Sequence, residues 1–297
     1  MSSTIPSKPT EASAVIRAAI ARAGQLATLP EIALEVMRLA DDPTATGDDL
    51  DRVLSQDPAL SARVLKIVNS AYYGVRREVT SIGTAIVVLG FSAVKNIAVA
   101  ASLARMFRVA NATTGFEPRE LWHHSVAVAT AARLIALRQR GIDPSDAFLA
   151  GLMHDIGLIV ELQACHEPFL ATVALAALEP SRGFRVIEEE VIGASHEAFG
   201  AALCEAWRFP ESLRHVCGHH HQPMLLPDHQ RRLTAIVHVA DVLAARCALG
   251  YARTVDADAP DGDVLAWLGV TDDMLTEMQT ALPALVADVM PTLSGGA

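Results

Sequence analysis

Apolar residues return every three or four positions along most of the chain, and no stretch alternates steadily between apolar and polar, so the pattern predicts an all-α fold. Proline preceded by a polar or aromatic residue marks where several helices should begin. Asp57-Pro58 puts an acceptor for free N–H groups ahead of a first-turn proline, and Leu60, Val64, Leu65 and Val68 then share one face. Asp143-Pro144 repeats the device, and Thr28 with Pro30 and Phe209-Pro210 after Trp207 mark two further starts. Gly74 and Gly90 are the expected stops. The pattern corresponds to about a dozen helices.

The punctuation also divides the chain. A flexible segment, residues 1–20, is expected to precede a domain over 21–250. The polar stretch Asn111 to Pro118, with Gly115, reads as a joint between an N-terminal helical lobe, about 26–110, and a second helical lobe, about 115–250. A loop from Asp256 to Asp263 carries four aspartates, a proline and a glycine. It falls within a C-terminal helical extension, 251–297, that ends in a loose Ser294-Gly-Gly-Ala297 tail.

Composition narrows the classes. With 51% apolar and 20% charged residues among 297, the chain can bury a core and lies far from the disordered regime. A net charge of −10 argues against bulk nucleic-acid binding. One stretch runs the other way: between residues 60 and 110, Arg63, Lys66, Arg76, Arg77, Lys95, Arg105 and Arg108 face a single acid, Glu78. That stretch is a candidate contact surface for a partner, or else a set of solvated helix sides and cations that meet the acidic remainder internally. The longest uncharged run, Val79 to Val94, is too short to cross a membrane, and Met1 to Thr10 lacks the apolar core of a secretory signal, so a cytoplasmic protein with no membrane association is expected. Cys165, Cys204, Cys217 and Cys247 show no C-x-x-C spacing and read as reduced thiols.

All eleven histidines fall between His123 and His238. In chain order the window offers His123-His124, His154-Asp155 within Gly151-Leu-Met-His-Asp-Ile-Gly157, His196, the triplet His219-His220-His221, and Asp241. Imidazole and carboxylate donors together suit iron, manganese, zinc or cobalt. Facing helices of a bundle can assemble such donors around one ion, where a bound water becomes acidic and a phosphoryl oxygen is polarised.

The order of these residues resembles the ligand order of the HD superfamily of metal-dependent phosphohydrolases. Other stretches, independent of the histidines, are similar to the HDOD family, the HD-related output domain of bacterial signalling proteins. They include Leu29-Pro-Glu31, the run from Gln56-Asp-Pro to Asn69-Ser-Ala71, Ser81-Ile-Gly to Leu89-Gly90, and Leu121-Trp-His-His-Ser125. The likeness continues through Ala147 to Gly157, Glu190 to Gly200, Trp207-Arg-Phe-Pro210, His220-His-Gln-Pro223 and Val237-His-Val-Ala-Asp241, covering roughly residues 26 to 245. It implies an N-terminal helical lobe packed on an HD-like helical lobe. It also implies a regulatory output module with a signalling protein as partner.

Carried across residue by residue, the superfamily's metal pattern falls on His124, His154, Asp155 and Asp241, with His196, His220 and His221 available for a second ion, and magnesium joins the candidate metals. His124 is taken over His123 because it directly precedes the matched Ser125, and the pair 220-221 keeps the spacing from Pro210 to Pro223. The alternative is an active phosphohydrolase or phosphodiesterase on a nucleotide or cyclic dinucleotide, with Asp155 as its catalytic carboxylate; a third reading is a purely structural bundle. One departure bears on activity. The related HD-GYP phosphodiesterases carry His-Asp-x-Gly-Lys, whereas Leu158 stands in the fifth place here, and the Gly-Tyr-Pro signature after the paired histidines is absent. Of the remaining residues, Trp122, Trp207 and Trp267 are expected in the core, Tyr72-Tyr73 between the lobes, and Glu188 to Glu190 on a solvated face.

Overall fold

The computed structural model describes residues 9–26, 31–42, 44–70, 72–109, 113–255 and 257–294. The expected start at Thr28 and Pro30, and with it Leu29, lies outside them, as do Asn111, Asp256 and the tail beyond Ser294. Among the described residues there is no strand, and the chain is all-α as its periodicity predicts.

The N-terminal lobe comprises α2 (Glu31–Asp41), α3 (Gly47–Leu54), α4 (Pro58–Val68), α5 (Ile82–Leu89) and α6 (Phe91–Val109). Asp57 caps α4 by accepting from Ala59 and Leu60 N–H, as its place before Pro58 predicts. The buried face is Leu60, Val64, Ile67 and Val68, with Ile67 replacing the expected Leu65. Gly90 stops α5, but Gly74 stops nothing. α4 ends earlier because Asn69 offers its own cap. Its Nδ2 donates to Leu65 O and Val79 O, and its Oδ1 accepts from Val79 N, which also pins the 70–81 loop.

Helix α6 is apolar almost all round and is the lobe's axis, packing on α2, α4 and α5 and also on the second lobe. There it meets α7 (Pro118–Ala136) and α8 (Pro144–Met153), the latter capped by Asp143 as expected. Asp146 of α8 accepts from Asn96 Nδ2 at 2.8 Å and lies 3.7 Å from Lys95 Nζ. Tyr72 packs on Phe148, and the Arg133 guanidinium lies over Tyr72 and Tyr73, so the tyrosine pair does sit between the lobes.

The second lobe continues with α9 (Ile156–Ala164), α10 (His166–Leu178), α11 (Phe184–Val191), α12 (His196–Ala206), α13 (Glu211–His219) and α14 (Asp228–Arg246). α15 (Gly262–Leu268) and α16 (Asp272–Leu293) complete the chain. Helices α7 and α14 are buried along most of their length and form its centre. The extension is part of the same core: α16 packs on α7 and buries Leu275, Met278, Leu282, Val286, Val289 and Leu293.

Three expectations change. Residues 9–20, expected to be flexible, belong to α1 (Pro9–Leu26), which packs on α9 and α12 through Val15, Ile16, Ala19 and Ile20. Trp122 is buried, but Trp207 and Trp267 are only half-buried; Trp267 lies under the guanidinium groups of Arg231 and Arg232. The stretch Pro144–Ala164 is long and apolar enough to cross a membrane, yet 94% of its most apolar 18-residue window is buried inside the protein, as befits a core segment. The helices outnumber the expected dozen because short ones such as α3 and α15 carry too few turns to show a period.

Replacing Asn69 by Ala leaves the Val79 carbonyl and N–H without their side-chain partner and removes one of the two donors to Leu65 O. Urea unfolding should show a loss of about 2 kcal/mol; a loss under about 0.5 kcal/mol would mean that the loop is held by something else.

Candidate metal centre

The centre forms where two apolar helices meet end to end. α8 stops at Met153 and α9 starts at Ile156, and the two residues between them are His154 and Asp155. Glycines on either side let the junction be gripped. A Cβ on Gly151 would come within 2.8 Å of the α7 backbone at Ala129, and one on Gly157 would run into the His196 carbonyl at the start of α12. These close approaches bring α7 and α12 against the junction.

The structure brings together all seven residues singled out from sequence. His124 comes from α7, His154 and Asp155 from the junction, His196 from the first residue of α12, His220 and His221 from the end of α13, and Asp241 from α14. Potential donor atoms fall within 4.8 Å of one another in three overlapping groups: His124, His154 and Asp155; His154, His220 and Asp241; and Asp155, His196, His220 and His221. His123 and His219 stay outside these groups. All seven are buried except His221, which is partly exposed.

Four histidines are oriented alike. Nδ1 of His154 lies 2.8 Å from Gly151 O, that of His220 3.1 Å from Val216 O, that of His124 3.3 Å from Leu249 O and that of His196 2.8 Å from Glu188. A carbonyl can only accept, so Nδ1 carries the proton in the first three, and the Glu188 carboxylate favours the same for His196. In the neutral rings Nε2 then presents a lone pair to the centre.

There it faces other lone pairs. Nε2 of His196 and of His220 each lie 3.3 Å from Asp155 Oδ1, Nε2 of His154 lies 3.4 Å from Asp155 Oδ2, and His196 Nε2 lies 3.1 Å from His221 Nε2. His154 Nε2, His220 Nε2 and Asp155 Oδ1 are buried without a hydrogen-bond partner. Lone pairs this close need a cation between them, either a proton or a metal ion. The donor set, the shared tautomer and the orphaned atoms all fit a divalent metal. Such an ion would acidify a bound water and polarise a phosphoryl oxygen.

Without metal, extra protons meet the need. Burial opposes charge on His154, but Asp155 and Asp241 outweigh it and hold the ring well above its usual range. Burial likewise opposes charge on His196, and Glu188 and Asp155 raise it to about 9. Burial works to raise the carboxyls of Asp155 and Asp241, yet the histidines keep both well below the ordinary carboxylate range. His221 is pushed down by burial and by the rings of His220 and His196.

The surrounding support was not assigned from sequence. Glu188, expected in solvent, is fully buried and also accepts from the His196 backbone N–H; Glu189 is exposed and Glu190 pairs with Arg182. A signal existed: Phe184, Ile187 and Glu188 share one face of α11, so Glu188 sits on an apolar stripe. Glu197 accepts from His221 N–H, and His238 donates from Nδ1 to His220 O. Glu161 is buried behind the centre, where burial and then Glu188 hold its carboxyl well above its usual range. Cys204 and Cys217 are free thiols with sulfurs 3.6 Å apart, and Cys217 donates to Met153 O.

The all-helical chain gathers these histidines and aspartates at one buried centre. The HDOD domain model matches residues 26–223, and the chain belongs to the HDOD domain family. It is similar to an HDOD domain protein of unknown function from Geobacter sulfurreducens, with 25% identity and a TM-score of 0.70 over 91% of this chain and 99% of that one. The fold is also shared with a candidate signal transduction protein from Marinobacter aquaeolei VT8 (23% identity, TM-score 0.75, 98% of this chain and 67% of that one). An uncharacterized protein of Treponema pallidum (strain Nichols) is 26% identical over 224 residues, which is 74% of this chain and 42% of that relative's length. The matched stretch of this chain thus spans less than half of that relative.

The charges set a pH dependence for the metal-free protein. His196 is raised, so its contribution to stability is complete below pH 6.5 and is lost as pH climbs through about 9. Asp155 and Asp241 are lowered, so theirs is complete above the free-carboxyl value of 3.8 and is lost on acidification. With chelator present, Tm should fall between pH 6.5 and pH 9, and His196→Gln should flatten that limb. A Tm that rises over this range in the wild type would contradict the ionic account.

Proposed function

We propose that this chain is a regulatory module of bacterial signal transduction whose centre binds divalent metal and whose surface passes its state to a protein partner. The observation that carries the reading is the convergence of Nε2 lone pairs and two carboxylates from seven residues, six of them buried. Asp155 lies at the middle of the centre. Its Oδ2 faces His154, with Asp241 and His124 beyond, and its Oδ1 faces His196 and His220, so these residues would hold the metal. Iron, manganese, zinc and magnesium are the candidates, with nitrogen-rich coordination favouring the first three.

The departure at Leu158 weighs against the alternative, a phosphohydrolase or phosphodiesterase acting on a nucleotide. Leu158 is itself buried in α9, so that position supplies no cation to developing phosphoryl charge.

For the partner, the basic stretch divides. Arg63 donates to Ala101 O and Lys95 turns to Asp146, so these two serve the interior. Lys66, Arg76, Arg77 and Arg105 remain exposed, and we assign the partner's acidic surface to them.

Elemental analysis of protein purified without chelator tests the metal. About one or two ions per chain are expected in the wild type and none in His154→Ala/Asp155→Ala. Little metal in either protein would defeat the reading. Turnover of nucleotide monophosphates or cyclic dinucleotides with manganese, abolished by His154→Ala, would favour the phosphohydrolase instead.

A further inference from the structure

We infer that residues 249–254 form a strap that locks the centre, so that the group held there is a bare divalent cation, released slowly, rather than a phosphate ester. The inference rests on the metal reading above and concerns residues beyond 223, where the family match ends.

After α14 the chain reverses. Ala248, at φ 53°, and Gly250, at φ 77°, both adopt the left-handed backbone, which for a residue with a Cβ costs energy and persists only where the surroundings demand it. The demand at Gly250 is visible: a Cβ there would collide with the Glu120 carbonyl and with the His124 backbone nitrogen. The next residue, Tyr251, donates its N–H to Glu120 O at 2.9 Å and packs its ring against Phe116. The segment is thus pressed onto the first turns of α7, the helix that carries His124.

From that position it touches two of the metal-binding candidates. Leu249 O accepts from His124 Nδ1, which fixes the ring with Nε2 inward. Thr254, with no exposed surface, donates from Oγ1 to Asp155 Oδ2 at 3.1 Å. The hydroxyl engages the carboxylate at the middle of the centre, on the oxygen that faces His154. A strap anchored to α7 at one end and to the α8–α9 junction at the other closes this side of the centre. A phosphate ester would have to displace the Thr254 contact to enter here, whereas a cation among the ring nitrogens need not. Thr254 is therefore a positioning residue, holding Asp155 and keeping the strap down.

The test uses the full chain loaded with zinc and challenged with excess chelator, release being followed in stopped flow. Thr254→Val keeps the shape of the side chain and removes the donor, so zinc should leave about tenfold faster; Thr254→Ser should restore the wild-type rate. In the wild type, zinc should also slow hydrogen exchange at the Tyr251 amide. Equal release from the wild type and Thr254→Val would overturn the strap while leaving the metal reading intact, as would release through the His221 side, seen as unchanged Tyr251 exchange. A wild type that retains no zinc would overturn both.

Discussion

The Asp155 carboxylate, held out of water between the ends of two apolar helices, is the constraint from which the arrangement of the second lobe follows. An isolated carboxylate in such a place is strongly disfavoured, so it is stable only with cationic or donor partners on every accessible side. Thr254 donates to it from the strap, and the ring nitrogens that face it from α12, the end of α13 and the junction require a proton or a metal ion between them and it. Bringing them within reach requires close helix packing, which Gly157 permits at α12 and Gly151 permits between α7 and α8. The grip on Asp155 and the packing of the lobe are one structural fact.

The imidazoles bring a second requirement. Each has two ring nitrogens, and turning Nε2 inward means that Nδ1 needs an acceptor outside the cluster. His154 and His220 find one on their own helices, three and four residues back. His124 depends on a carbonyl 125 residues away in sequence, and His196 on Glu188 of the preceding helix. Local geometry thus orients half of the rings, and tertiary contacts orient the others. The N-terminal lobe takes no part in this shell. It is tied to α8 by Asp146 and by the packing of Tyr72 on Phe148, and to α7 by the Arg133–tyrosine stack.

Which parts of this could be read beforehand depends on the range of the interaction concerned. The caps at Asp57 and Asp143 are made by residues two or three positions apart, and they form as expected. The early end of α4 escaped because Asn69 outcompetes Gly74 through a contact with Val79, ten residues on. Adjacency to Glu189 and Glu190 puts Glu188 among solvated acids, whereas its place on the Phe184/Ile187 stripe of α11 separates it from them, as its burial shows. The polar, proline-interrupted opening of the chain hides α1, whose order comes from the α9–α12 surface that it covers.

The sequence by itself determined the all-helical class and the family, and it named the seven residues that meet at the centre, because periodicity, capping and motif order are properties of neighbouring residues. It also indicated the register of the donors, His124 over His123 and His220-His221 over His219, through fixed spacing to matched neighbours. Tertiary structure decided which nitrogen of each ring faces inward, that Glu188 and Thr254 hold the centre, and that six of the seven donors are sealed from water. These depend on groups far apart along the chain meeting in a medium of low polarity, where each unsatisfied atom is costly and each partner is chosen by distance rather than by order.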